Sequence, residues 1–196
     1  MKSRRSVRKF KPDKPPLELI KLAVEAAVAA PSNSNSQPWR FIYLEDATKI
    51  SALADLVEAA VNKLSQKIED QEKRGEYSRY ATYFSFFRHA PGLIAVACKE
   101  ANYLNYFLPT ELQLVQTVNP ELCSVSAAIQ NLLLMLHASG LGACWMTGPL
   151  IAAREISGYI GLKEPYFLAA LIPVGYPAEE PAIPRKKELD KIFVIK

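Results

Sequence analysis

Between Leu17 and Val28 the apolar positions Leu17, Ile20, Val24, Ala27 and Val28 recur at three- and four-residue spacing, which predicts an amphipathic helix. Pro16 suits its first turn and Pro31 stops it. WRFIYL (39–44) reads as a short strand. From Asp46 to about Gln71 charged and apolar residues alternate at helical spacing, with Glu45 and Asp46 favourable near a helix start. The next stretch, Gly75 to Pro91, packs six aromatics into seventeen residues without a clear period. It is expected to be a packing segment leading into the buried strand Gly92–Cys98.

Pro120 opens the most strongly patterned helix. Val125, Ala128, Ile129, Leu132 and Leu136 mark one face, while Leu133, Leu134 and Met135 make the other face apolar too. A helix apolar all round belongs in a core or an interface. Gly140 suits its C-terminus. ACWMTG (143–148) follows as strand and turn, then a helix from about Ala152 to Ile160, then an apolar strand in FLAALIPVGYP (167–177). The tail carries a Pro-rich connector, a basic triplet and a β-like run, Ile192–Ile195. The stretch from Tyr103 to Asn119 is expected to be a loop plus a short helix over the site. No repeat or linker divides the chain, so residues 1–196 are expected to form one domain.

Composition narrows the class. With 49% apolar, 22% charged and 10% aromatic residues, disorder, collagen and disulfide scaffolds are excluded. A membrane span needs roughly 18 consecutive apolar residues, whereas Leu132–Trp145 is interrupted by His137, Ser139 and two glycines, so none is expected. The basic N-terminus lacks the apolar core of a secretory signal. Three cysteines, Cys98, Cys123 and Cys144, form no CxxC pair, which fits a reducing cytoplasm. The net charge of +4 is local: residues 1–9 hold five cations and no acid, and the rest of the chain sets 19 cations against 20 acids. Such a patch suits one bound anion better than a polyanion surface, and no nucleic-acid partner is expected.

Four segments carry candidate chemistry. RRSVRKF (4–10), if extended, turns Arg4, Ser6 and Arg8 to one side and Arg5 to the other, which is either a phosphate cradle or a solvated basic arm. PSNSNSQPW (31–39) is either a ligand-contacting loop or a helix-capping one. MTGP (146–149) offers Thr147 and Gly148 as anion contacts at a helix start or forms a plain turn. PRKKEL (184–189) is a second basic cluster or a charged connector. His89 and His137 pair with no Cys, Asp or Glu at metal-ligand spacing. GxSxG, the P-loop and GxGxxG are all missing.

Taken in order, RRSVRKF, APSNSNSQPW (30–39), AAIQNLLLMLHASGLGACWMTG (127–148), FLAALIPVGYPAEEP (167–181) and PRKKEL resemble the FMN-dependent nitroreductase family across nearly the whole chain. The resemblance implies an α+β fold with a mixed, mostly antiparallel sheet flanked by helices. It implies an obligate-type homodimer in which the long apolar helix is the dimer helix and the C-terminal run extends onto the partner's sheet. It also implies a set of FMN contacts. Arg4, Arg5 and Ser6 would hold the phosphate, and Arg8 would reach the ribityl chain and the pyrimidine edge. Pro31, Ser32 and Asn33 would contact the flavin of the other subunit, Thr147 and Gly148 would lie beside N(5), and Arg185 with Lys187 would close on the phosphate. No protein nucleophile or metal is implied, because the flavin carries the chemistry. The implied activity is NAD(P)H oxidation, with NADH or NADPH as donor and ping-pong hydride transfer through N(5) to a nitroaromatic, quinone or similar small-molecule acceptor. Reductive dehalogenation, flavin fragmentation and non-catalytic flavin binding are the alternatives on the same fold. Tyr83 and Phe86 stand where some members place polar residues that reach the flavin.

Overall fold

The structure, a computed structural model, describes residues 3–100 and 119–196. The expected loop and helix at 103–118 therefore lie outside the described residues. Helix α1 (Leu17–Val28), strand β1 (Trp39–Leu44), helix α2 (Ala47–Ser65), helix α3 (Gln71–Ala81), strand β2 (Gly92–Lys99), helix α4 (Pro120–Ala138), strand β3 (Gly142–Ala143), helix α5 (Ala153–Tyr159) and strand β4 (Tyr166–Gly175) follow one another along the chain.

The four strands form one sheet in the order β1-β2-β4-β3, every pair antiparallel. A single parallel bridge, Ser6 to Ala143, adds the mixed character. In β2 and β4 both faces are apolar: residues 92–98 and 168–175 are all buried. This is what a sheet covered on both sides requires. On one side α1 and α4 pack over Ile94, Val96, Ala170 and Ile172; on the other, α2 and α5 pack over Leu93, Ala95 and Leu171.

Local signals explain the element ends. Asp46 caps α2, accepting from the N–H of Thr48 at 2.8 Å and of Lys49 at 3.3 Å, and those bonds hold its carboxyl below the usual range. Asn119 caps α4 by accepting from Leu122 N–H at 2.8 Å. Gly140, at φ 78°, takes the left-handed position after α4.

Two expectations are corrected. The helix expected up to about Gln71 stops at Ser65, and a separate helix, α3, runs from Gln71 to Ala81, into the first part of the segment expected to be aperiodic. Asp70 caps α3, accepting from Lys73 N–H at 3.0 Å. Only Ala81 of α3 is buried, so no apolar stripe marks it. The run Ile192–Ile195 is not a strand within this chain; its side chains are 60–86% exposed, and a strand needs a neighbour to satisfy its backbone.

Helix α4 has the length and hydropathy of a membrane span. Its Val125, Ala128, Ile129, Leu132 and Leu136 are instead fully or almost fully buried in the first core. Leu132→Ala is expected to cost about 2–5 kcal/mol, the scale of a leucine truncated in a closed core, read from urea unfolding. A loss below about 1 kcal/mol would place this face outside the core.

Candidate functional site

The basic arm is laid down by backbone bonding on two sides. Val7 N–H donates to Ala143 O at 3.1 Å, Lys11 N–H to Tyr176 O at 2.8 Å, and Ala178 N–H to Lys9 O at 2.9 Å. The carboxylate of Glu179 accepts from the N–H groups of Arg8 at 2.7 Å and Lys9 at 3.1 Å. Glycine is needed where the arm crosses β3: a Cβ on Gly142 would stand 2.8 Å from the Val7 side chain. The arm's placement thus depends on a close approach that only glycine permits.

Arg4, Ser6 and Arg8 all reach the surroundings of Cys144, although Arg4 lines one concavity together with Arg5 and Arg8 lines another. All three act on the buried Cys144 thiol: burial pushes its pKa up, while Arg8, a hydrogen bond with Ser6 and Arg4 oppose the rise. Arg5 turns back, its Nη1 donating to Arg4 O at 2.8 Å. None of the ion pairs among the described residues uses Arg4 or Arg8.

Two concavities flank this arm. The larger, about 930 Å³, includes Arg4, Arg5, Val7, Leu133, His137 and Ile183 in its lining. His137, on the last turn of α4, is tied to the arm through Ser3 Oγ at 2.9 Å. The smaller, about 330 Å³, brings Arg8 together with Thr147, Gly148, Tyr83, Phe84 and Phe86. A Cβ on Gly148 would collide with the Phe84 ring, so the aromatic segment sits directly on the turn after Met146. Tyr83 and Phe86 therefore share a cleft with Arg8 and the Thr147 turn. Tyr80 and Trp145 complete its wall. Sequence reading missed these two and Cys144; the aromatic crowding at 77–87 was the available signal.

The other predicted site residues are elsewhere in the chain. Pro31, Ser32 and Asn33 belong to a loop at the opposite end of α4. There Asn33 N–H donates to Ser124 Oγ at 3.0 Å and Asn33 Nδ2 to Glu121 Oε1 at 3.5 Å. Ser124 and His137 are thirteen residues apart on one helix, about 20 Å along its axis. The loop is strained: Ser34, Asn35 and Gln37 hold φ of 49°, 53° and 45°, a region costing a non-glycine residue about 1–2 kcal/mol. Ser32 Oγ closes it by accepting from Gln37 N–H at 3.1 Å. Arg185 and Lys187 line a third concavity with Lys186, Glu188 and Lys191. Within one chain the site residues thus fall into four groups, of which only the arm and the Thr147 turn meet. Among the described residues no cluster of metal-ligating side chains occurs.

An α+β protein with a cationic arm bridged to its short edge strand, and a backbone turn under an aromatic wall, is the class defined by this fold and site. The chain belongs to the nitroreductase family, whose model matches residues 1–176; the match ends before Arg185 and Lys187. The iodotyrosine deiodinase of Thermotoga neapolitana is 30% identical over 189 residues, covering 95% of this chain and 91% of that protein. Among solved structures, a BluB-like flavoprotein from Clostridium difficile 630 superposes with a TM-score of 0.90 at 29% identity, covering 98% of this chain and 95% of the other. A nitroreductase with bound FMN from Desulfitobacterium hafniense DCB-2 superposes with a TM-score of 0.73 at 25% identity, covering 100% and 95%.

Burial pushes the Cys98 thiol up to about 11, helped by the charges of Glu121 and Glu100. A raised value keeps the thiol protonated at neutral pH, and burial keeps Cys98 and Cys144 from solvent. Both are expected to stay unmodified by a thiol reagent at pH 8 until the protein is unfolded, as mass spectrometry of the labelled protein would record. Gly142→Ala is expected to lift the arm off β3 and speed hydrogen exchange at Val7 by at least about tenfold, the factor for roughly 1.4 kcal/mol of lost protection.

Proposed function

We propose that the protein is an FMN-dependent NAD(P)H oxidoreductase of nitroreductase type, acting as a homodimer. The observation that carries this reading is the convergence of Arg8, Thr147 and Gly148 in one cleft, at the arm that also carries Arg4 and Ser6. The donor set fits FMN. Two guanidiniums outside any described ion pair and a hydroxyl suit a phosphate. A turn at the start of a helical segment presents backbone groups to a ring edge. Of the two nearby carboxylates, Glu179 and Glu180, Glu179 is occupied by the arm's own N–H groups.

When bound, FMN would take hydride from NAD(P)H and pass electrons to a nitroaromatic, quinone or similar acceptor. The chain's own residues bind and orient. Arg4, Arg5 and Ser6 anchor the phosphate, and Arg8 places a positive charge where negative charge develops on reduction. Thr147 and Gly148 support the reacting edge. Tyr83, Phe84 and Trp145 wall the cleft with apolar surface that keeps water from the ring face.

The second copy supplies what one chain separates. Pairing α4 with its twofold mate, antiparallel, brings the Ser124 end of one helix beside the His137 end of the other, so Pro31, Ser32 and Asn33 reach the partner's arm. The exposed run Ile192–Ile195 adds to the outer edge of the partner's β1. There an apolar groove of about 320 Å³, with Leu17, Val24, Phe41 and Tyr43 in its wall, lies open. That exchange also carries Arg185 and Lys187 toward a phosphate they do not approach in their own chain.

The likeness to an iodotyrosine deiodinase supports a second reading, reductive dehalogenation on the same cofactor. Anaerobic spectra separate the readings. Bound flavin that bleaches with NADH or NADPH and is reoxidised by a nitroaromatic supports the first. Iodide release from 3-iodotyrosine with a chemical reductant, and no bleaching by either nicotinamide, supports the second. Arg4→Ala and Arg185→Ala are each expected to weaken FMN retention by about 1–3 kcal/mol, the scale of a charge-assisted contact, measured by flavin fluorescence. Unchanged affinity in both would remove the phosphate assignment.

A further inference from the structure

Glu121 and Ser124 are the polar and charged side chains that α4 buries, at 3% and 6% exposure, and they have no counterpart among the other described residues. They lie three residues apart, on one face of the helix's first turns. A carboxylate out of water is costly without a partner, and none of the ion pairs among the described residues includes Glu121. An apolar residue of similar size would pack there without that cost. What the two share is Asn33. Ser124 Oγ donates to Pro120 O at 2.8 Å, which commits its proton to the helix and leaves a lone pair for Asn33 N–H. Glu121 Oε1 takes the Asn33 side-chain amide.

The loop that begins at Asn33 holds all three left-handed non-glycine residues of the described chain, Ser34, Asn35 and Gln37. Backbone in this state persists only where its surroundings over-determine it, and such places concentrate at ligand contacts. The loop's own bonds, Gln37 N–H to Ser32 Oγ and Gln37 Nε2 to Asn35 Oδ1, close it on itself without fixing it to the body. The bonds to Ser124 and Glu121 fix its first residue, Asn33, while just past its other end Lys99 N–H donates to Pro38 O at 2.6 Å.

We infer that Glu121 and Ser124 are positioning residues: through Asn33 they lock the strained 33–37 loop in the shape that meets the partner subunit's FMN. This rests on the FMN reading above and adds to it two residues that touch no cofactor themselves.

The test is FMN affinity of the purified dimer, by fluorescence titration of the cofactor-depleted protein, beside thermal unfolding. Glu121→Leu is expected to raise the dissociation constant by about tenfold or more, the factor for one lost charge-assisted bond, and Ser124→Ala by about threefold to tenfold, the factor for a neutral one. Glu121→Gln, which keeps an acceptor oxygen, is expected to stay within about threefold of the wild type. Asn33→Ala changes an exposed loop residue and folds independently of the buried pair. In its background Glu121→Leu is expected to add nothing, because the two act in series. A Glu121→Leu protein that binds FMN as the wild type does overturns the inference and leaves the FMN reading standing. So does a Glu121→Leu effect of undiminished size in the Asn33→Ala background, the mark of a merely structural role. A wild-type protein that takes up no FMN removes the FMN reading itself and this inference with it.

Discussion

A helix apolar on every side has to be covered on every side, and the way α4 is covered sets the rest of the molecule. Its Val125, Ala128, Ile129, Leu132 and Leu136 are buried with Ile20, Ala23 and Ala27 of α1 and with the near face of β2 and β4. Because this rod is nineteen residues long, its two ends serve different neighbours. The first turns hold the 33–37 loop through Ser124 and Glu121; the last turn meets the arm through His137 and Ser3. No bend of a single chain brings those ends together. A rigid core helix thereby fixes which of these residues one chain can bring together and which it keeps apart.

Charge is distributed on the same plan. Arg88, which anchors the aromatic segment to α2, is saturated by Asp55 at 2.7 Å and Glu58 at 2.9 Å, and Ser51 and Ser85 complete that network. Its guanidinium is structural. In the arm the acid is spent on backbone instead: Glu179 accepts from two N–H groups. The side chains of Arg4 and Arg8 enter no described ion pair. One arginine is neutralised to hold a wall in place, while the two in the arm keep their charge outside any described ion pair.

Much of this was legible in the residue pattern. β1 coincides with WRFIYL, α1 and α4 begin at their prolines, and Gly140 closes α4, because period and caps are local properties. α3 escaped because an exposed helix needs no apolar stripe. The strained loop escaped because no glycine marks it; serine, asparagine and glutamine hold the left-handed positions. Burial of Glu121 is a tertiary fact with no local signature, since an acid in the first turn of a helix is ordinarily solvated. The tail's β-like composition was read correctly as an apolar run, but a strand is a relation between two segments, and its own chain offers it no neighbour.

The contact between Gly148 and Phe84 divides the aromatic wall into two kinds of position. Phe84 rests on the backbone of the turn, so its size sets the height of that turn, and replacing it moves floor and wall together. Tyr83, at 61% exposure, borders the same cleft away from that contact, whereas Tyr80 packs edge-to-face on Phe84 with ring centroids 5.2 Å apart. The rim of the cleft is therefore free to change at Tyr83 while Gly148, Phe84 and Tyr80 stay coupled. The fold separates what can be retuned from what must be inherited intact.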